Sequence, residues 1–193
     1  MKKLRIISLV CIYSVLNACS SVSVSTDFDQ ASDFSQLKNY QWKPGNIPIT
    51  NTDPRIANNL MDIRIRSTID RQLASQGFIK QYGNSDFSVI YHVTTEDKIE
   101  LHNYNTHGGY GPAWGWGTGY GYRGMAHGHG YSETVVKEYK KGTLIIDIID
   151  QKSGQLIWRG MGSKRIPSKT NPEKLDELVN LVVESILKNF PPK

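Results

Sequence analysis

Cysteine is nearly absent from this chain, which has two in 193 residues, Cys11 and Cys19. That excludes a disulfide scaffold as the source of stability, so the fold must rest on a packed core, for which one domain of this length suffices. Long apolar runs are missing too. The first, Ile6 to Leu16, has 11 residues and is broken by Ser8 and Ser14, short of the roughly 20 that a membrane-spanning helix needs. An excess of one charge is also lacking. Lys+Arg number 23 against 18 Asp+Glu, and removal of Lys2, Lys3 and Arg5 with the N-terminal segment leaves 20 against 18, a net +2. The basic residues are dispersed, which excludes a nucleic-acid footprint. No serine stands in a Gly-x-Ser-x-Gly context and no Gly-Lys-Ser/Thr occurs, so neither a hydrolase elbow nor a phosphate loop is signalled.

What is present begins with a compartment signal. The basic Met1-Lys2-Lys3-Leu4-Arg5, the short apolar run and Asn17-Ala18-Cys19 make a secretory signal peptide over residues 1–18. Leu16-Asn17-Ala18-Cys19 resembles the bacterial lipoprotein box, in which the cysteine is acylated and becomes the first residue of the mature chain. Its thiol is the nucleophile such a thioether requires. Two or three acyl chains such as palmitate, at about 0.8 kcal/mol per buried CH2, give essentially permanent attachment. Ser20, rather than aspartate, follows the cysteine. The resemblance implies the outer membrane, periplasmic side, with residues 19–193 forming a single lipidated periplasmic domain.

Along the mature chain, alternation of Val22, Val24, Thr26 and Phe28 predicts a strand, and Asn39–Trp42 a second. Asp33–Leu37 between them reads as a turn or one loose helical turn, and Asn46–Thr52 as a loop. Asp53-Pro54 reads as a helix start, with Met61, Ile65, Ile69 and Leu73 as the apolar stripe to about Gln76, Asp62, Arg64, Arg66, Asp70 and Arg71 on the wetter side, and Gly77 as the stop. Asp86–Thr94 alternates as a strand with Phe87, Val89, Tyr91 and Val93 on its apolar face, and a weaker strand, Lys98–Tyr104, follows a tight turn at Thr95-Glu96-Asp97. Glu133–Tyr139 leads into a hairpin from Tyr139 to Gly160, whose turn is Asp150-Gln151-Lys152-Ser153-Gly154. Asn171-Pro172-Glu173 opens a last amphipathic helix that Pro191-Pro192 stops. The sum is an α+β fold: a mostly antiparallel β-sheet with two amphipathic helices packed on it as a two-layer sandwich.

Between the strands lies the one low-complexity stretch. Gly108 to Gly130 holds ten glycines, two tryptophans and three tyrosines in 23 residues. This insert, 107–130, is expected to be a disordered hairpin tip or a partner-binding surface in which Tyr110, Trp114, Trp116, Tyr120 and Tyr122 engage a protein, a glycan or the membrane interface. All five histidines fall between His92 and His129. His107, His127 and His129 are weak metal candidates, because imidazole suits zinc, copper or nickel but no cysteine or carboxylate cluster completes a set. His92 and His102 are placed on adjacent strands. Asp147 and Asp150, three apart, point to opposite faces of a regular strand and read as structural: Asp150 as a turn cap, Asp147 as the partner of Arg159 or of the Trp158 indole.

Asp27-Phe28-Asp29 with Asp33-Phe34-Ser35, Tyr40-Gln41-Trp42, Asp53-Pro54-Arg55, the run Asp86 to His92, Gly142-Thr143-Leu144-Ile145-Ile146-Asp147 and Trp158-Arg159-Gly160 together resemble a family of bacterial lipoproteins, the domain of unknown function DUF4136. The resemblance covers nearly all of the mature chain and implies a lipidated envelope protein without an established activity. It brings no catalytic residues. The expectation is a non-enzymatic envelope binding or structural module that uses no cofactor, with the membrane and an unknown envelope protein or glycan as partners. An envelope hydrolase using His92 and an aspartate, or a small-ligand or metal binder, is the alternative.

Overall fold

A computed structural model describes residues 22–44, 53–105 and 132–192. The strands are β1 (Ser23–Phe28), β2 (Asn39–Trp42), β3 (Ile79–Lys80), β4 (Phe87–Asn105), β5 (Ser132–Asp150) and β6 (Leu156–Ile166). The α-helices among the described residues are α1 (Asn59–Ser75) and α2 (Pro172–Leu187), with a short 3-10 helix at Phe34–Gln36 before β2. The strands form one six-stranded sheet in the order β1-β6-β5-β4-β2-β3. It is mixed: β1 and β5 both run antiparallel to β6, while β2 runs parallel to β3 and to β4. The parallel part follows from connectivity, since α1 is the crossover that returns the chain from β2 to β3 in the same direction.

Contacts divide the chain into two compact units. One takes in the described residues up to Glu96 and from Lys140 onward; the other lies within Asp97–Tyr139. The first unit holds both helices and a continuous core. Met61, Ile65, Ile69 and Leu73 of α1, Phe87, Val89, Tyr91 and Val93 of β4, Leu144, Ile146 and Ile148 of β5 and Val179, Val182, Val183, Ile186 and Leu187 of α2 are all buried in it. Both predicted apolar stripes are therefore the packing faces.

The hairpin closes as its turn residues require. Gly154 has φ +70°, and Ile146 pairs with Gly160 and Leu144 with Gly162. These two glycines let α2 approach the sheet: a Cβ at Gly160 would lie 2.5 Å from Ile186 Cγ2, and one at Gly162 2.8 Å from Ile186 Cδ1. Asn171 caps α2, accepting the Lys174 amide at 2.9 Å, with Pro172 in the first turn.

Two local expectations are corrected. Asp53-Pro54 opens a turn, not the helix: Asp53 binds Arg55 through both carboxylate oxygens, and the Ile56 and Ala57 amides donate to its carbonyl. Asn58 is the true cap, extended at φ −148° and accepting the Met61 amide at 2.9 Å. The turn expected at Thr95-Glu96-Asp97 is absent, and β4 runs through it. No glycine or proline interrupts the chain there, and the alternation persists, with Val93 and Thr95 buried and Thr94 and Glu96 exposed. The loop expected at Asn46–Thr52 lies outside the described residues.

Candidate functional site

The two faces of the sheet differ. Residues 144, 146 and 148 of β5 and 158, 160 and 162 of β6 lie toward α2, so by alternation Asp147 and Arg159, directly paired in the ladder, lie on the other face. Asp147 is buried even so, because Arg159 lies over it, donating from Nε to Oδ1 and from a terminal nitrogen to Oδ2, both at 2.7 Å. This bidentate pairing raises the Arg159 pKa. His92 Nε2 stands 3.9 Å from Asp147 Oδ2, beyond hydrogen-bond reach. On the same face Thr143 Oγ1 and Ser163 Oγ share a hydrogen bond of 2.9 Å. Asp150 belongs to the turn: the Ser153 amide and hydroxyl donate to its Oδ1 at 2.6 and 2.7 Å, and they hold its carboxyl below the ordinary value. The two aspartates thus have separate structural partners, and Asp147 takes the guanidinium rather than the indole. Trp158 Nε1 is buried on the helix side without a hydrogen-bond partner.

A second polar cluster sits where α1 crosses β2 and β4. Tyr40 is buried, and its hydroxyl donates to Asp70 Oδ1 at 2.8 Å; Trp42 Nε1 donates to the same oxygen at 2.9 Å and Lys80 Nζ reaches Oδ2 at 2.9 Å. One turn earlier Arg66 lies over the Trp42 ring, 4.5 Å from its centroid, and donates to Asp62, which also accepts the Tyr91 hydroxyl. Burial first, and then the neighbouring carboxylate, pushes both tyrosine pKa values up. These hydroxyls stay protonated and serve as donors; a tyrosinate nucleophile is disfavoured here. The wetter-side reading of Asp62, Arg66 and Asp70 missed this role. Its signal was available in the four-residue spacing of the three, one stripe of α1, and in inward-facing Tyr40 and Tyr91, whose hydroxyls need acceptors.

Cys19, the aromatics Tyr110, Trp114, Trp116, Tyr120 and Tyr122, and the histidines His107, His127 and His129 lie outside the described residues. His92 and His102 fall on one strand, β4, not on adjacent strands, and His102 Nε2 is 3.4 Å from Glu100 Oε1. Among the described residues no group of three or more His, Cys, Asp or Glu side chains could hold a metal ion, and no helix is long and apolar enough to cross a membrane.

The profile of the family described as "Domain of unknown function (DUF4136)" matches residues 24–192. No curated protein matches the chain in sequence. Among solved structures, a PDZ domain protein from Parabacteroides distasonis ATCC 8503 superposes with a TM-score of 0.51 at 14% identity, over 89% of this chain and 36% of that one. The chain therefore spans about a third of that protein's length, and the likeness is one of fold. Two PelC dodecamer structures from Paraburkholderia phytofirmans give TM-scores of 0.45 at 10% and 12% identity, each covering 86% of this chain and 95% of that one.

Proposed function

The chain belongs to the DUF4136 family, and on that premise we propose that it is a lipid-anchored outer-membrane lipoprotein. Its periplasmic α+β domain, a two-layer sandwich, acts as a non-enzymatic binding or structural module. The observation that carries this reading is the engagement of the buried and half-buried carboxylates: Asp53 by Arg55, Asp62 by Tyr91 and Arg66, Asp70 by Tyr40, Trp42 and Lys80, Asp147 by Arg159, and Asp86 by two backbone amides. General acid–base chemistry needs a carboxyl or imidazole within reach of a reacting proton, and these groups are turned to the fold instead. The buried apolar core beneath both helices supports the same reading, as does Cys19 placed after a short basic and apolar leader.

Palmitate labelling of cells producing the wild type and Cys19→Ala tests the anchor. Label in the wild type, and its loss in the variant together with release from the outer-membrane fraction, is the expected result; equal labelling of both would overturn it. Crosslinking in intact cells from position 114 or 120 tests the module: a recurrent envelope protein or glycan adduct is expected. If His92→Ala or Asp147→Asn abolishes the ability of the gene to complement its own deletion while the adduct persists, the hydrolase reading replaces this one.

A further inference from the structure

The two outer strands of the sheet are finished differently. β3 is two residues long and carries Lys80, and both shortness and lysine blunt a sheet edge. β1, at the opposite edge, is the six residues Ser-Val-Ser-Thr-Asp-Phe, with no proline, no basic residue and one charge. All of them are exposed except the half-buried Val24. The ladder fixes where their backbone groups point. The Asp29 amide donates to the Ile157 carbonyl at 3.0 Å, one step beyond the Phe28–Trp158 pair, so the residues bonded to β6 through the backbone are Asp27, Ser25 and Ser23. The amides and carbonyls of Val24, Thr26 and Phe28 point away from β6, on a side where no described strand meets them.

These three positions are symmetric about Thr26. A second β1, antiparallel and related by a two-fold axis through Thr26, sets Thr26 opposite Thr26, Val24 opposite Phe28 and Ser25 opposite Asp27. Every outward amide and carbonyl then has a partner, about six hydrogen bonds in all. The side chains match as well. Val24 and Phe28, opposite Gly162 and Trp158 in the ladder, lie on the helix face, where each meets the other from the second copy as an apolar pair; Phe28 is 41% exposed in the single chain. Ser25 and Asp27 lie on the other face, in a pair not bonded through the backbone, where side chains come closest and the serine hydroxyl donates to the carboxylate. This register also keeps the two Asp27 side chains from facing one another, each remaining opposite its own Arg159. A foreign peptide satisfies the backbone alone, whereas the match at all five positions is a property of this strand with itself. We propose that β1 pairs with β1 of a second copy of the chain, joining two sheets into one across a two-fold axis.

The test uses the full chain in the membranes of producing cells, with the wild type, which holds Cys19, as the background. Thr26→Cys brings two cysteines to a Cα separation of about 5.5 Å, within disulfide reach, whereas Asp27→Cys leaves them on a diagonal of about 7–8 Å. Mild oxidation should give a disulfide-linked dimer from Thr26→Cys and about fivefold less from Asp27→Cys. Ser153→Cys, in the exposed hairpin turn, should give no more than the wild type. Copies carrying two different tags should co-purify after mild solubilisation. Thr26 is exposed in the single chain, so charge there spares the core. Thr26→Lys with itself, and Thr26→Glu with itself, should each lower co-purification about fivefold, because like charges then stand directly opposite, and Thr26→Lys expressed with Thr26→Glu should restore it. Thr26→Pro removes only an outward amide, so it should lower co-purification about tenfold while the urea midpoint of the chain stays unchanged. Absence of the Thr26→Cys dimer, equal dimer from all three cysteine positions, a Thr26→Cys adduct with a different protein in its place, or no rescue by the Lys and Glu combination would overturn the proposal.

Discussion

Replacing Asp70 by alanine should be among the most costly single changes on the outer side of α1. Asp70 receives three donors, but they are not equivalent. The Tyr40 hydroxyl is on a buried ring, and losing its acceptor leaves a polar group without water or partner, a cost of about 1–3 kcal/mol. Trp42 is half-buried and its indole can reach solvent on relaxing, so about 0.5 kcal/mol is reasonable. Lys80 is about one-third exposed, and its ion pair contributes at most about 1 kcal/mol. The expected loss is roughly 2–4 kcal/mol, or about 5–15 °C in Tm for a domain of this size. Urea unfolding followed by tryptophan fluorescence measures it. Tyr40→Phe alone should cost about 1 kcal/mol, and the double variant should show a coupling of 1 kcal/mol or more, because with the hydroxyl gone the carboxylate is no longer missed by it. The same pair predicts an alkaline limb. The folded tyrosines have pKa values raised above the ordinary 10.0, so the native state keeps protons that the unfolded chain releases. Stability is full below about pH 10 and falls as pH rises beyond it, and Tyr40→Phe should flatten that slope. A loss below about 0.5 kcal/mol for Asp70→Ala, or zero coupling, would refute the reasoning.

Three further outcomes are expected. Gly160→Ala puts a methyl 2.4 Å from Trp158 and 2.5 Å from Ile186 and should destabilise by about 1–3 kcal/mol, read from the same urea curves. Asp86→Ala frees the Lys38 and Asn39 amides, which hold the start of β2 beside β4 and keep the Asp86 carboxyl below its ordinary value. The depressed pKa contributes stability that is present above about pH 4 and lost as pH falls through the folded value, so the variant should lose about 2 kcal/mol at pH 7 and less at pH 3. Asn171→Ala should cost about 1 kcal/mol by uncapping α2, and Asn171→Asp should restore most of it in thermal melts.

Much of this fold could be read from local pattern, and the misses share a cause. The hairpin was legible because five consecutive turn residues and the flanking β-branched run sit side by side, and its register carried the Asp147–Arg159 pair along with it. Both helical stripes and the Asn171-Pro172 cap are local in the same way. Asp53-Pro54 misled because its cue is satisfied by either a turn or a helix, and the choice fell to Arg55, whose guanidinium also reaches the carbonyls of Pro167 and Ser168 far along the chain. The parallel pairing of β2 with β4, and the acceptor roles of Asp62 and Asp70, depend on segments distant in sequence, where periodicity is silent. The Asp97–Tyr139 unit was visible mainly as a change in composition.

The pairing of β1 with β6 also sets an order of events. Ser23 lies opposite Ser163, so the first strand of the described fold has nothing to bind until nearly all of the chain is available. During synthesis β1 has no partner until β6 is complete, and until the two pair β6 presents a bare row of amides and carbonyls on that side. Of the described strands, the one made first therefore pairs with the one made last, and the interval between the two is when another strand could take its place on β6.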